Sequence, residues 1–287
     1  MAFVNKDNLT QLAKARWETS HSPRMREVMT KLVEHAHAFV RDVNPTEAEW
    51  LAACEFLART GREFCDDRRN EFILLSDVLG ISTLVVQLND KKADGTTPNT
   101  VLGPFYQPGS PEMADGQNMA EGIEGETCYV HGNVTDLNGT PVPNARLDVW
   151  QADDEGMYEV QLPEITDPRL RAVFHTGSDG KYCVQTISPL GYTIPMDGTV
   201  GDLIRGTEIS HFRPAHIHFI VEAPGYKRVV THLFRKDAPY LDSDVVFGVK
   251  DDLIVPFNVH DGGESPTGDK VNGPFATVQF DIRLEAV

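Results

Sequence analysis

From about residue 8 to residue 90, apolar side chains recur at the spacing that gathers them on one face of an α-helix. Met25, Val28, Leu32, Ala36 and Phe39 form one stripe, and Trp50, Ala53, Leu57, Gly61 and Phe64 form a second. Thr46 and Glu49, just after Pro45, make a capping box that predicts where the second helix opens. A third helical run carries Phe72, Leu75 and Leu79, with Gly80 near its middle or end.

Beyond Pro98 the period falls to two. Cys128, Val130, Gly132 and Val134 alternate with polar neighbours, as do Leu147 and Val149, and later Val278, Phe280, Ile282 and Leu284. The breaks hold turn-forming clusters: Asp136-Leu137-Asn138-Gly139, Ser178-Asp179-Gly180 and Asp261-Gly262-Gly263. Gly103 to Gly125 is too rich in glycine and proline for regular structure and is expected to wrap the strands or line a pocket. Helices followed by strands predict an α+β chain, with a helical domain over residues 1–97 and an antiparallel β-sandwich over residues 98–287.

The strand half contains Arg213-Pro214-Ala215-His216-Ile217-His218-Phe219. Successive strand side chains point to opposite faces, so His216 and His218 share one face while Ile217, Phe219 and Val221 line the other. Two imidazoles so placed are candidate ligands of one metal, or else core histidines with hydrogen-bond partners. His35 and His37 have the same spacing within a helical pattern, where two residues turn the side chains by roughly 200° and prevent chelation.

Two histidines rarely hold an ion alone, and the further candidates are Tyr158 and Tyr192. Tyr158 follows the strand ending Val149-Trp150 and the turn Asp153-Asp154-Glu155-Gly156, and Tyr192 sits in the irregular loop Pro189 to Pro195. Each tyrosine alone reads equally as a packing residue with a bonded hydroxyl. Holding a phenol as its phenolate at neutral pH costs roughly 4 kcal/mol, which a trivalent cation can supply. Two phenolates with two imidazoles form a hard, anionic set that favours ferric iron over zinc.

The chain has 287 residues and a formal net charge of -17, which argues against nucleic acid or an anionic membrane as partner. Its four cysteines, Cys54, Cys65, Cys128 and Cys183, form no Cys-x-x-Cys pair and are expected to be reduced and buried. The N-terminal stretch has no secretory pattern, and no run approaches the roughly 18 apolar residues of a membrane span. A cytoplasmic location is the expectation.

Several separated motifs resemble the intradiol ring-cleavage dioxygenases, enzymes that cut catechols between the hydroxylated carbons. They are Leu102-Gly103-Pro104-Phe105-Tyr106, Asp148 to Asp153 leading to Gly156-Met157-Tyr158, the loop around Tyr192, and Arg213 to Phe219. The resemblance implies one Fe(III) per subunit held by Tyr158, Tyr192, His216 and His218, with dioxygen as co-substrate. It implies that Tyr192 lets go of the iron as substrate binds and that Arg213 stabilises negative charge developing on the substrate. It also implies a homodimer formed through the helical domain, with a phospholipid-like amphiphile as a possible occupant of the interface.

Thr231-His232-Leu233-Phe234 and Leu241 to Lys250 are similar to hydroxyquinol 1,2-dioxygenases, which convert 1,2,4-trihydroxybenzene to 3-hydroxy-cis,cis-muconate, the enol of maleylacetate. By this resemblance Leu74, Asp77, Val101, Ile194, Pro195 and Val246 surround the ring. An acidic Asp77 at the pocket wall would accept a hydrogen bond from the third hydroxyl and be left unpaired against plain or chlorinated catechol. As an ordinary helix residue it would instead be solvated. Catechol or chlorocatechol cleavage is the nearest alternative. More distant readings are a cupin-type metal site built from His216, His218 and Glu222, and a non-catalytic prealbumin-like module suggested by Gly132 to Ala145.

Overall fold

The computed structural model describes residues 3–162 and 164–287. The chain divides into two compact units, Met1–Ala58 and Arg59–Val287. In the first, α1 (Leu9–Trp17) and α2 (Pro23–Val43) precede α3 (Glu47–Glu63), which runs on into the second. Ser22 caps α2 by accepting from the Met25 N–H, with Pro23 in the first turn, and Asn44 ends it in the left-handed conformation at φ 49°. The capping box forms as expected: the Thr46 N–H donates to Glu49 Oε2 at 2.7 Å and the Glu49 N–H to Thr46 Oγ1 at 3.2 Å. None of the residues of α2 is buried, and its stripe of Met25, Val28, Leu32 and Phe39 is exposed.

The second unit holds α4 (Glu71–Val78), α5 (Ile81–Asn89) and the short α6 (Thr199–Arg205). Gly80 separates α4 from α5 at φ 71°, a left-handed geometry that glycine adopts without steric cost. The strands are β1 (Thr127–Asp136), β2 (Arg146–Trp150), β3 (Arg171–His175), β4 (Lys181–Ile187), β5 (Tyr192–Thr193), β6 (Phe212–Arg213), β7 (His216–Glu222) and β8 (Val229–Arg235). They continue with β9 (Ile254–Val255), β10 (Asn258–His260), β11 (Gly263–Glu264), β12 (Lys270–Val271), β13 (Phe275–Gln279) and β14 (Ile282–Leu284). One sheet runs β10-β13-β1-β14 with β4 also paired to β1, the other runs β3-β2-β7-β8-β9, and β5 with β6 and β11 with β12 form small ladders.

The α+β class holds, but the sheets are mixed rather than strictly antiparallel. β1 runs parallel to β13 and β14, and β8 parallel to β9. Alternation shows which face is buried and says nothing of strand direction. The C-terminal strands return to β1 after a long connection, which permits a parallel pairing. As expected, no helix or strand forms from Gly103 to Gly125. That segment instead tracks the sandwich, with the Met113 N–H on the Val173 carbonyl and the Met119 N–H on the Gln185 carbonyl.

The largest core cluster lies between the two sheets and takes Cys128, Val130 and Val134 from β1, Leu147 and Val149 from β2, and Ile217, Phe219 and Val221 from β7. All four cysteines are free, but only Cys128 and Cys183 are buried and Cys54 is exposed on α3, which corrects the expectation of uniform burial. Of α3 only Thr60 is buried, so the helix does not enclose the thiol. No single described helix is long and apolar enough to cross a membrane. Phe219 is fully enclosed, so Phe219→Ala is expected to cost about 3–5 kcal/mol in urea unfolding. A loss under about 1 kcal/mol would contradict its place in the sandwich core.

Candidate metal centre

Strand register assembles the site. In β7, His216 and His218 point away from Ile217, Phe219 and Val221, yet both are only 2% exposed because a second layer of residues covers them. Across the ladders Trp150 of β2 and His232 of β8 are the partners of His218, and in the small ladder Tyr192 of β5 is the partner of Arg213 of β6. Pro214 and Ala215 carry the chain from that arginine directly into β7.

Tyr158 arrives from the loop after β2. Asp153 closes the turn by accepting from the N–H groups of Glu155 and Met157 at 3.0 and 2.9 Å. Gly156 in this turn has φ 81°, and a Cβ there would lie 2.6 Å from the Cβ of Tyr192, so glycine alone fits both the conformation and the approach. Phe105 stacks on the Tyr158 ring at 4.7 Å, and Trp150 stacks on His218 at 4.5 Å with 13° between planes.

The four expected donors therefore meet. The Tyr158 hydroxyl lies 3.2 Å from that of Tyr192, 3.1 Å from His218 Nε2 and 3.5 Å from His216 Nε2. His216 Nε2 is in turn 3.2 Å from His218 Nε2 and 3.5 Å from the Tyr192 hydroxyl. Donors at these separations leave room for an ion about 2 Å from each, the length of ordinary metal–ligand bonds. Because His216 Nδ1 faces the Pro214 carbonyl at 2.6 Å, it must donate there, which leaves Nε2 unprotonated, as a ligand atom must be.

Electrostatics point the same way. Burial holds the His216 and His218 pKa values well below the usual histidine range, with the Arg213 charge acting in the same direction on both. They are neutral, the form that ligates metals. Burial raises the Tyr158 phenol well above its ordinary value, helped by Tyr192, whereas at Tyr192 burial is opposed by the Arg213 charge. The protein alone keeps both phenols protonated, and a cation at their oxygens reverses that preference. The donor chemistry fits a hard trivalent ion.

Arg213 is 3% exposed, with Nη1 3.0 Å from His216 Nε2 and Nε 3.1 Å from Asp244 Oδ1. Burial would lower its pKa, but the charge and hydrogen bonds of Asp244 carry it above the ordinary arginine value. His232 joins the cluster: its ligand atom and those of His216 and His218 lie within 4.8 Å of one another. Its Nδ1 bonds Thr100 Oγ1, and its Nε2 has no hydrogen-bond partner among the described residues.

Of the expected ring-binding residues, Leu74, Val101, Ile194 and Val246 pack in a single apolar cluster. Asp77 lies one turn from Leu74 on α4 and is 1% exposed, so it is not solvated. Its Oδ2 has no hydrogen-bond partner among the described residues, and burial raises its pKa. Pro195 lines, with Ile194, Phe105 and Met157, a cavity of about 780 Å³. Glu222, required by the cupin-type reading, ends β7 at the surface and is paired with Arg146 at 3.8 Å and Arg228 at 3.1 Å. That reading fails because the carboxylate is already engaged away from the histidines.

Sequence reasoning did not place Trp150, His232 or Asp244 at the site. The first two were within its reach: Val229 and Leu233 enter the sandwich core, so the alternate position His232 must share a face with the metal-side histidines.

Comparison with known proteins agrees with this geometry. A family model described as Dioxygenase matches residues 101–286, and one described as Catechol dioxygenase N terminus matches residues 22–97. The chain is 47% identical to 6-chlorohydroxyquinol 1,2-dioxygenase of Cupriavidus pinatubonensis, over 88% of this chain and 92% of that one. It is 43% identical to hydroxyquinol 1,2-dioxygenase of Nocardioides simplex, over 98% and 96% of the two chains. The crystal structure of hydroxyquinol 1,2-dioxygenase from Pseudomonas putida superposes with a TM-score of 0.90 at 42% identity, covering 98% of this chain and 99% of that one. The chain belongs to the intradiol ring-cleavage dioxygenases, whose members use non-haem iron.

Proposed function

We propose that this chain is a hydroxyquinol 1,2-dioxygenase that opens 1,2,4-trihydroxybenzene between the adjacent hydroxylated carbons, giving 3-hydroxy-cis,cis-muconate, the enol of maleylacetate. The observation that carries the reading is the convergence of the Tyr158 and Tyr192 hydroxyls with His216 Nε2 and His218 Nε2 in one buried site. These four residues hold one Fe(III) per subunit, and dioxygen is the co-substrate. Trihydroxybenzene is favoured over catechol by the buried, unpaired oxygen of Asp77 beside the apolar cluster and by the identities with the hydroxyquinol enzymes.

Ferric iron, when bound, supplies the Lewis acidity that lets phenols and catechol hydroxyls lose protons and the redox chemistry that makes the ring reactive toward dioxygen. The chain does the rest. Tyr158 is held by its stack on Phe105 and by three polar neighbours, which suits a permanent ligand. Tyr192 sits on a two-residue strand beside Arg213 and, with the metal bound, would be the ligand that gives up its place and takes a substrate proton. Arg213 offers a fixed positive charge where negative charge develops on the ring, and its burial keeps water from screening it. Leu74, Val101, Ile194, Pro195 and Val246 enclose the ring, and Asp77 accepts from the third hydroxyl.

Residues 1–97 form the dimerisation domain, which also lends Leu74 and Asp77 to the pocket, and residues 98–287 the catalytic domain, a division supported by the family models ending at 97 and resuming at 101. The exposed stripe of α2 supports a homodimer, whose interface is also the place for a phospholipid-like amphiphile. Four unpaired thiols suit the reducing cytoplasm.

Oxygen uptake by iron-loaded protein, corrected for autoxidation of hydroxyquinol, is expected to be rapid with hydroxyquinol and slow with catechol. A preference for catechol would overturn the substrate assignment, and no uptake with either would overturn the activity. Asp77→Ala is expected to reduce the kcat/KM ratio of hydroxyquinol to catechol on the order of tenfold, since the third hydroxyl loses its acceptor. An unchanged ratio would remove Asp77 from the account of selectivity.

A further inference from the structure

Asp244 is buried within a loop that does several things at once. Its carboxylate accepts from Arg213 Nε at 3.1 Å through Oδ1 and from Arg213 Nη2 at 3.4 Å through Oδ2. The same two oxygens accept from the Val246 N–H at 3.4 Å and the Gly248 N–H at 2.9 Å. The Val245 N–H binds the Phe212 carbonyl at 3.2 Å, which fastens the loop to the strand that carries Arg213. One carboxylate thus grips the guanidinium along one edge and shapes the backbone that presents Val246. Only Nη1 is left to the metal side, 3.0 Å from His216 Nε2. The fit is close, since a Cβ on Gly248 would lie 3.0 Å from Arg213 Nη2 and 3.1 Å from Asp244 Oδ2.

We propose that Asp244 is a positioning residue for ring cleavage, acting through Arg213 by fixing which guanidinium nitrogen faces the reacting ring, with Gly248 leaving the space that this fixed arrangement needs. The inference rests on the proposed function. A flexible arginine spends its charge on many orientations, whereas one clamped along its Nε edge is preorganised and needs no rearrangement as charge develops. Asp244 therefore contributes to the rate more than to substrate binding.

The test is a pair of double-mutant cycles. Asp244→Asn is expected to lower kcat for hydroxyquinol about 10- to 100-fold. KM and the dissociation constant from anaerobic hydroxyquinol titration should stay within about threefold and iron content should be unchanged, as for an interaction that strengthens only during reaction. In an Arg213→Ala background the same substitution should cause no further loss, because the group it acts through is gone. Removing one member of a buried ion pair strands the other and can impair folding, so Gly248→Ala provides a second probe that keeps both charges. It should also lower kcat in the otherwise unaltered enzyme and be silent in the Arg213→Ala background.

Losses that multiply with that of Arg213→Ala in both cycles would overturn the proposal, as would unchanged kcat in Asp244→Asn or in Gly248→Ala. Should Asp244→Asn fail to fold, the Gly248→Ala cycle alone decides. An unaltered enzyme with no turnover of hydroxyquinol or catechol overturns the proposed function, and this inference falls with it. Turnover combined with multiplying losses overturns the inference alone.

Discussion

Side-chain alternation along β7 is the constraint on which the rest of the structure depends. Ile217, Phe219 and Val221 must enter the sandwich core, and a slip of one residue would send the histidines there instead. That register sets His216 and His218 on the opposite face and, through the ladders on either side, brings Trp150 and His232 next to them. The hydrophobic effect thus positions polar groups it does not itself favour. Their burial is then offset by aromatic packing, hydrogen bonds and the ion that their donor atoms suit.

Burial also determines the chemistry. Two imidazoles and two phenols enclosed together are all driven to their neutral forms, and the fixed positive charge of Arg213 reinforces this at the histidines while opposing it at both phenols. The phenols differ in what surrounds them. Tyr158 is enclosed by Phe105 and the histidines, and Tyr192 is exposed to the field of the arginine across a two-residue ladder.

Much of this was legible along the chain, for identifiable reasons. The capping box at Thr46 and Glu49 and the stripe of α2 are local, and local patterns survive into the structure. The burial of Ile217 and Phe219 against the opposite facing of His216 and His218 follows from period two alone. Strand direction was not legible, because β1 pairs with β13 and β14 through a connection whose course no periodicity records. Nor was α6, whose seven residues are too few to show a helical period. Tyr158 lies in a loop and Tyr192 on a strand of two residues, so no periodicity marks either, and the family resemblance carries what spacing does not. The Arg213–Asp244 pair joins residues 31 apart and left no local signature. Along the chain Asp77 reads equally as solvated or as a pocket wall, and its burial removes the first of these readings.

The central claim is that two tyrosines and two histidines, rather than the three neighbouring histidines, hold the metal. The most direct measurement is iron content together with the visible absorption of phenolate-to-iron charge transfer, in the unaltered protein and in Tyr158→Phe, Tyr192→Phe and His232→Ala. The account predicts a visible band and one iron per chain in the unaltered protein, loss of iron or a changed band in each tyrosine variant, and both features intact in His232→Ala. Full iron and an unchanged spectrum in both tyrosine variants, with iron lost from His232→Ala, would contradict it.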